Sequence, residues 1–370
     1  MIRRFQVDNF KNFKNKLILD FSKPYNYEFN EEAISKKNNC ITKAIVYGPN
    51  GSGKSNLGLA IMDIVTHLTD TTILGNSYSL YSNLENAKKR VTFRYEFVFD
   101  NHQLEYEYQK KSLYDLVSEK VIIDDEIVVD YNFDDAEGYT SLKGAENLNL
   151  ASSISNRISR VKYILGTAIL EENDINKVFR MFGDFVNHML LFYSLDTRGY
   201  QGFKVGSELL TDLLIKRGKV KDFEKFLNEE GINYTLVALD IDGSKQLYCR
   251  FKNGDVSFFS VASTGTRSLL LFYCWFLQMK ELSFVFIDEF DAFYHTDLSK
   301  SLVKLLKKVE NCQIVLTTHN TDILSNDLLR PDCYFEIRDN RIKSLSDKTD
   351  KDIRKAHNLQ KMYKAGVFNE

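Results

Sequence analysis

The chain has 370 residues, 44% of them hydrophobic and 27% charged, which is an ordinary globular balance for one elaborated domain or two. Its formal net charge is −2, so the composition gives no global electrostatic reason for nucleic-acid binding, although a local basic face is compatible with it. The longest apolar run, 269–277, is too short to cross a bilayer, no apolar signal segment follows the first residues, and the five cysteines lack C-x-x-C spacing. We therefore expect a soluble cytoplasmic protein with reduced thiols and no membrane partner.

The N-terminal part predicts strands that lead into a loop with a recognisable pattern. Residues 2–7 and 17–21 alternate apolar and polar side chains, which indicates two short strands, and Lys43–Tyr47 is an apolar run suited to a buried strand. The segment Gly48-Pro49-Asn50-Gly51-Ser52-Gly53-Lys54-Ser55 then fits the phosphate-binding pattern G-x-x-x-x-G-K-S. A helix is predicted after it, because apolar residues recur at helical spacing at Leu57, Ile61, Ile64 and Leu68.

This strand–loop–helix context favours a nucleotide-binding loop over a chance glycine turn. Its glycines allow backbone N–H groups to face phosphates, and the N-terminus of the following helix adds the positive end of its dipole. We expect Lys54 to bridge the β- and γ-phosphates of ATP and Ser55 to ligate Mg²⁺. The remaining predicted cradle consists of Gly48, Asn50, Gly51, Ser52 and Gly53.

The middle of the chain changes its periodicity twice. Alternation over 91–108 and 121–129 predicts two antiparallel hairpins, and Asp124-Asp125-Glu126 between the second pair of strands is more typical of a solvated turn than of a metal site. Residues 150–230 have helical periodicity without a long heptad series, which predicts a short helical arm; its apolar positions are Ile154, Ile158, Val161, Val178, Phe182, Phe185, Met189, Leu209, Leu213 and Leu214. The basic cluster 216–221 indicates a solvated face or, alternatively, a phosphate contact.

The C-terminal part returns to strands and then alternates strands with helices. Turn signals at 242–243 and 253–254 predict short strands over 233–259, and Ser263-Thr264-Gly265 opens a buried helix that reaches about Met279. An apolar strand follows and ends in Asp288 and Glu289. The remaining predicted elements are a helix over 296–309, a buried strand that ends in His319, a hairpin over 334–342 and a short docking helix within 359–367.

These pieces match the needs of ATP hydrolysis, which are cradled phosphates, a held Mg²⁺ ion, an aimed water molecule and neutralised charge. Ligands collect at the carboxyl edge of a parallel sheet, where Asp288 would hold Mg²⁺ and Glu289 would act as general base. His319 would contact the γ-phosphate. Alone it would be interpreted as a structural histidine, and the shared arrangement with the loop favours the catalytic interpretation.

The order and spacing of these motifs resemble the head of an ATP-binding-cassette (ABC) ATPase. Ser263 lies 25 residues before Asp288, and His319 lies 31 residues after it. The resemblance implies that Ser263 and Gly265 bind, in trans, the γ-phosphate of ATP held by the opposite protomer, so that ATP joins two heads in a homodimer or a higher oligomer. It also places Asp291 in the loop that connects the two nucleotide sites. The sequence departs from the L-S-G-G-Q signature at Thr264 and Thr266, and neither Gln103 nor Gln109 suits the glutamine loop.

Three further segments resemble narrower families. Residues 9–13, Asn-Phe-Lys-Asn-Phe, resemble the opening strand of RecF, SMC and OLD-type ATPases, and 288–295 resemble the OLD-like acidic pair followed by a histidine. Segments 352–354, 358–359 and 363–368 look like the tail of Rlo-type and abortive-infection AAA ATPases. The resemblance implies an α/β fold, with a P-loop mixed sheet, helices, an antiparallel β lobe and a short helical arm. It further implies a bacterial phage-defence ATPase that uses ATP and Mg²⁺.

Domain organisation and function follow as expectations. We expect an N-terminal half of the head at 1–149, the arm at 150–232, a C-terminal half at 233–345 and a tail at 346–370. Only 51 residues follow His319, which is too few for the nuclease domain of OLD relatives, so we expect a separately encoded nuclease or toxin effector. The alternative is a RecF/SMC-like DNA-repair ATPase whose basic groove would use cluster 216–221 with Lys300, Lys304, Lys307 and Lys308. A transporter subunit and a non-catalytic scaffold fit the sequence less well.

Overall fold

The computed structural model describes residues 1–71, 78–86, 90–150, 158–194, 199–202 and 210–369. The strands in this part of the chain are β1 (Ile2–Asp8), β2 (Leu17–Asp20), β3 (Ile34–Ser35), β4 (Cys40–Ile41), β5 (Lys43–Tyr47), β6 (Val91–Phe99), β7 (His102–Ser112), β8 (Asp115–Ile123), β9 (Glu126–Asn132), β10 (Glu137–Thr140), β11 (Met189–Ser194), β12 (Gly199–Gly202), β13 (Leu236–Ile241), β14 (Ser244–Phe251), β15 (Gly254–Ser257), β16 (Phe284–Ile287), β17 (Gln313–Thr318), β18 (Tyr334–Arg338) and β19 (Arg341–Ser344). The helices are α1 (Lys54–Met62), α2 (Val65–Leu68), α3 (Arg160–Thr167), α4 (Asp174–Asn187), α5 (Leu210–Lys216), α6 (Val220–Glu229), α7 (Phe258–Val261), α8 (Thr264–Phe276), α9 (Thr296–Lys307) and α10 (Leu359–Lys364).

One seven-stranded sheet is antiparallel and has the order β10-β9-β8-β7-β6-β1-β2. Along residues 91–96 of β6 buried and half-buried positions alternate, so one face packs on the core and the other faces solvent there, as expected for such a sheet. The predicted entry strands and both predicted hairpins are confirmed. Asp124 and Asp125 have φ of 48° and 69°, and the Asp124 carboxylate accepts a hydrogen bond from the backbone N–H of Gln103. The acidic segment is therefore a turn, as the sequence indicated.

The other seven-stranded sheet has the order β12-β11-β16-β17-β5-β18-β19, and its inner strands are parallel. All residues of β16 and β17 are buried, which suits strands covered on both faces. Register pairs Ile287 with Leu316, and Thr318 with Tyr47. The carboxyl ends of β16, β17 and β5 therefore lie side by side at one edge of this sheet.

Helix α1 lies between the two large sheets. On one side, a Cβ at Gly58 would lie 2.6 Å from the ring of Phe286 in β16, so the helix packs closely on the parallel sheet. On the other side, the Tyr95 hydroxyl from β6 hydrogen-bonds with the carbonyls of Ala60 and Ile61, each at 3.1 Å. The first turn of α1 contains Lys54 and Ser55, the last two residues of the loop pattern. Because both sheets contact α1, both also fix the position of the loop.

A buried polar cluster continues from the C-terminal end of α1 into the antiparallel sheet. The carboxylate of Asp63 accepts hydrogen bonds from the Tyr81 hydroxyl at 2.7 Å, the Tyr108 hydroxyl at 2.9 Å and the Lys110 ammonium at 2.7 Å. The side chains of Asp63 and Lys110 are both inaccessible to solvent. Burial lowers the pKa of Lys110, and the Asp63 carboxylate opposes that shift. Each carboxylate oxygen has a donor, so the buried charge is paired and hydrogen-bonded.

Replacing Tyr81 by phenylalanine is expected to lower the free energy of unfolding by about 1–3 kcal/mol, because Asp63 loses the donor to its Oδ2 atom while it stays buried. The measurement is the denaturant midpoint of unfolding for the purified chain. The same substitution at Tyr114, which is 70% exposed, is the control and should leave the midpoint unchanged. An equal midpoint for wild type and the Tyr81 variant would contradict the role of this cluster.

The segment 150–232 departs from the predicted helical arm. Helices α3, α4, α5 and α6 are present, but Met189, which we expected on a helix, begins strand β11, and β11 pairs in parallel with β16 inside the main sheet. The prediction of helix at Met189 is therefore wrong, while the proposed domain boundaries stay a prediction. Ile154 and Leu209 lie outside the described residues.

The C-terminal elements follow the sequence closely. The three-stranded sheet β13-β14-β15, helices α8, α9 and α10, and the hairpin β18–β19 all lie where the sequence predicts them. Helix α8 is buried along most of its length. Across the ranges that the structure describes, no helix combines the length and apolarity needed to span a bilayer. The predicted α/β class, with a phosphate-loop sheet and an antiparallel lobe, is confirmed.

Candidate active site

The loop between β5 and α1 requires glycine at defined positions. Gly51 and Gly53 have φ of +78° and +101°, in the left-handed region that residues with a Cβ rarely adopt. At Gly48 a Cβ would lie 2.7 Å from the carbonyl oxygen of Ile337 in β18, so a side chain there would clash with backbone. The loop can therefore take this tight path only with the glycines of the pattern.

Lys54 is held inside the loop. Its ammonium donates hydrogen bonds to the carbonyls of Gly48 at 2.8 Å and Pro49 at 3.1 Å, and the residue is 5% exposed. Burial lowers its pKa, and the carboxylates of Glu289, Asp288 and Asp291 oppose that shift. A cation is thus placed beside an acidic cluster at the start of the helix.

The loop offers groups that fit a phosphate. The Ser52 hydroxyl is buried and has no hydrogen-bond partner among the described residues. A Cβ at Gly51 would meet no atom within 4 Å, so space remains beside the backbone there. An orphaned donor, a lysine and a helix N-terminus are the features that phosphate-binding loops use.

Asp288 follows β16 and is 4% exposed. Its Oδ1 atom accepts a hydrogen bond from the Thr317 hydroxyl at 2.6 Å. Burial raises the pKa of this carboxyl, and hydrogen bonds from Ser55 and Thr317 oppose the rise. The Ser55 hydroxyl and the Asp288 carboxylate are therefore neighbours, and both are oxygen donors of the kind Mg²⁺ prefers.

Glu289 has a backbone conformation that is uncommon for a residue with a side chain. Its φ is 46°, and its backbone N–H donates a hydrogen bond to the Thr317 hydroxyl at 2.8 Å. Thr317 therefore contacts both acidic residues, as donor to Asp288 and as acceptor from Glu289. The two consecutive acidic residues are therefore held through different atoms, Asp288 through its carboxylate and Glu289 through its backbone N–H.

The next threonine holds the third carboxylate of the group. The Thr318 hydroxyl donates to Asp291 Oδ2 at 2.8 Å, and burial raises the pKa of Asp291. His319 follows directly and is exposed, beside the carboxyl end of β5. No motif in the sequence marks Thr317 or Thr318 as a functional residue. The available signal was their position immediately before His319, at the end of a buried strand.

The N-terminal segment also reaches the loop. The Asn56 side chain in α1 donates a hydrogen bond to Asn12 Oδ1 at 2.7 Å. A Cβ at Gly53 would lie 2.5 Å from the Asn12 amide nitrogen, so the two segments are closely packed. Asn12 was noted in the sequence only as part of a family resemblance, and the structure places it against the loop.

The signature segment lies at a different helix. Ser263 caps α8, and its hydroxyl accepts a hydrogen bond from the backbone N–H of Thr266 at 3.1 Å. A Cβ at Gly265 would lie 3.2 Å from the carbonyl of Phe293, in the segment that follows Asp291. Ser263 is exposed, and in the described part of the chain its hydrogen bonds stay within its own helix cap. In the described part of the chain, no hydrogen bond joins Ser263 to the phosphate loop of the same chain.

Several cations that the sequence suggested for a nucleic-acid groove are engaged elsewhere. Lys307 forms an ion pair with Glu32 at 3.0 Å and its side chain is 11% exposed, so the expectation that it lines an open basic groove is wrong. In cluster 216–221, Lys219 pairs with Asp222 and Lys221 pairs with Glu224. Local acids therefore neutralise much of this charge.

The parallel sheet, the phosphate loop after β5 and the acidic pair after β16 define the class as an ABC-type P-loop ATPase head. A family model described as "AAA domain, putative AbiEii toxin, Type IV TA system" matches residues 43–325, and the chain belongs to this family.

Solved structures with similarity to the chain include SMC heads and RecF. An SMC head bound to the C-terminal winged-helix domain of ScpA has 13% identity and a TM-score of 0.45, covering 93% of this chain and 97% of that one. The SMC head domain from Thermotoga maritima has 13% identity and a TM-score of 0.41, covering 92% and 97%. RecF with ATP, from the RecFOR pathway, has 15% identity and a TM-score of 0.41, covering 93% and 99%. A comparison with curated proteins gave no match.

Proposed function

We propose that this chain binds and hydrolyses ATP as the switch of a bacterial anti-phage system whose effector is a separate polypeptide. One observation carries the catalytic part of the proposal. The lysine of a phosphate loop, the carboxylates that follow β16 and the histidine that follows β17 share one edge of the parallel sheet. Lys54 is close enough to Asp288, Glu289 and Asp291 for all three to act on its pKa.

Each side chain has a role that follows from its position. Gly48, Asn50, Gly51, Ser52 and Gly53 would cradle the phosphates, and Lys54 would neutralise charge between the β- and γ-phosphates. Ser55 and Asp288 would hold Mg²⁺, which supplies charge neutralisation at the phosphate oxygens. Glu289 would take a proton from the attacking water molecule while the water oxygen bonds to the γ-phosphorus. The bond between the γ-phosphorus and the terminal oxygen of ADP would then break. His319 would contact the γ-phosphate.

The dimeric part of the proposal rests on the exposed signature. Ser263 and Gly265 lie at the N-terminus of α8, where backbone N–H groups and the helix dipole favour an anion. They would complete the site of a second copy, and Asp291 would connect the two sites. The ATP-bound form would then be a head-to-head homodimer, or a larger assembly built from it.

The biological part of the proposal rests on the family. Its description names the AbiEii toxin and a type IV toxin–antitoxin system, which supports a role in abortive infection. We propose that the chain acts in the cytoplasm, that ATP state controls the effector, and that the effector is a nuclease or a toxin.

The test is to co-express the chain with the product of the neighbouring gene and to purify both with and without ATP. Light scattering should show a dimer-sized or larger complex with ATP that contains the partner, and the preparation should release phosphate. The control is the Lys54→Ala variant, prepared in the same way, which should neither form the ATP-dependent complex nor release phosphate. A chain that stays monomeric and alone in both conditions would refute the switch.

A DNA-repair ATPase is the second candidate. The observation in its favour is that Lys304 and Lys308 remain exposed on α9, so a smaller basic face than predicted is available. Duplex DNA that stimulates ATP turnover in a salt-dependent manner, without a second protein, would favour this candidate over the defence switch.

A further inference from the structure

A basic cleft lies between the β18–β19 hairpin and the C-terminal tail. Its volume is about 670 Å³, and its charged lining consists of Glu336, Arg338, Asp339, Arg341, Lys343 and Lys348. Among the described residues of this lining four are cations and two are acids, although the whole chain has a net charge of −2. The cleft is therefore a local basic site on a slightly acidic protein.

The hairpin register concentrates positive charge. Arg338 is directly opposite Arg341, and Glu336 is directly opposite Lys343, so these four side chains share one face of the hairpin. Like charges opposite each other destabilise a strand pair unless another group compensates them. Both arginines are exposed, and neither takes part in an ion pair within the described residues. The two guanidinium groups are therefore accessible to an anion from solution.

The buried acid of the cleft, Glu336, does not pair with either arginine. Glu336 is 3% exposed, its Oε2 atom pairs with Lys348, and its Oε1 atom accepts a hydrogen bond from the Tyr363 hydroxyl. Both carboxylate oxygens are thus occupied by the tail. Asp339 is the remaining acidic side chain of the lining, and it lies in the two-residue turn with a φ of 50°.

The cleft is distinct from the phosphate loop but close to it. Glu336 pairs with Tyr47, the residue before Gly48, and the carbonyl of Ile337 lies against Gly48. Arg338, the last residue of β18, therefore lies at the same edge of the sheet as the loop. The residues assigned to ATP, Lys54 and Ser55, are not part of the lining of the cleft.

We propose that this cleft binds the phosphate groups of a second ligand, with Arg338 and Arg341 as the anchoring residues. A guanidinium group presents a planar fork that matches phosphate oxygens in a bidentate manner, and two forks side by side suit adjacent phosphates. Such phosphates occur in a nucleic-acid backbone and in a free nucleotide. The site goes beyond the proposed ATP hydrolysis, since none of its residues is needed for that reaction.

The experiment uses the full chain with Arg338→Gln and Arg341→Gln together, and two probes. The first probe is a fluorescent single-stranded RNA or DNA oligonucleotide, measured by anisotropy at several salt concentrations. We expect roughly tenfold weaker binding in the double variant, and a slope of log affinity against log salt that is smaller by about 1.4 for two phosphate contacts.

The second probe is a fluorescent ATP analogue. If free nucleotide is the ligand, the double variant should bind one analogue per chain where wild type binds two.

The matched control is Lys225→Gln with Lys280→Gln, which removes two positive charges from exposed positions far from the hairpin in sequence. It should behave as wild type with both probes. If the arginine variant binds the oligonucleotide more weakly, the ligand is a nucleic-acid backbone. If the variant loses the second bound ATP analogue, the ligand is a free phosphate ester. The proposal is overturned if the arginine variant equals wild type with both probes, or if the control loses as much affinity.

Discussion

Replacing Glu289 with glutamine is expected to lower ATP turnover by about 10²–10⁴-fold while ATP still binds, because glutamine keeps the size of the side chain but cannot take a proton from water. The backbone there already has a φ of 46° and is held by the hydrogen bond to Thr317, and the substitution changes neither. Lys54, Ser55 and Asp288 also stay in place. Since hydrolysis would release the dimer, the variant should accumulate in the ATP-bound dimeric form.

The measurements are phosphate release under saturating ATP and molar mass with and without ATP. Glu310→Gln is the control, because Glu310 is exposed and lies after α9, away from the carboxyl edge of the sheet. It should keep wild-type turnover and an ATP-dependent mass that reverses as ATP is consumed. Wild-type turnover in the Glu289 variant would remove this residue from the role of general base.

Much of the site could be predicted from sequence because its parts are local. A phosphate loop needs glycines at fixed offsets, and those glycines have the strained φ values or close contacts that the pattern implies. Asp288, Glu289 and His319 each follow an apolar strand, and parallel pairing of β16, β17 and β5 brings the strand ends together. The position of each of these residues directly after its own strand was therefore enough to predict that they lie at one edge of the sheet.

Contacts between distant segments could not be predicted in the same way. Met189–Ser194 consists of five apolar residues and a serine, a run that suits a helix or a strand equally well, and pairing with β16 decides the outcome. Lys307 was expected in a basic groove, but its partners Asn30 and Glu32 come from the N-terminal region. The buried pair of Asp63 with Lys110 likewise joins a helix to a strand 47 residues away.

The roles of the two threonines show the same limit. Thr317 and Thr318 look like ordinary residues of a buried strand, and both are fully buried. Their hydroxyls become informative only when β16 lies beside β17, because the acceptors on Asp288 and Asp291 come from the segment after β16. Local propensity describes a strand here, whereas the positioning of the carboxylates depends on the sheet.

The trans arrangement of the signature leads to a second large expected effect. Lys54→Ala removes the cation of the phosphate loop and should abolish nucleotide binding. Ser263→Asp should also be inactive, because it brings a negative charge to the γ-phosphate, yet aspartate still caps α8 as serine does. Each variant alone therefore lacks turnover for a different reason, one at the loop and the other at the signature.

An equal mixture of these two variants should recover about a quarter of wild-type turnover, because half of the C2 dimers are mixed and each mixed dimer has one intact composite site. In that site the Ser263→Asp chain supplies its intact loop with Lys54, and the Lys54→Ala chain supplies its intact Ser263. Phosphate release by the mixture, compared with each variant alone at the same total concentration, measures the recovery. If the signature acted on the loop of its own chain, the mixture would be as inactive as its components. Recovery is therefore specific to a site shared between two copies, and its absence would reject the head-to-head dimer while leaving the assignment of Lys54 intact.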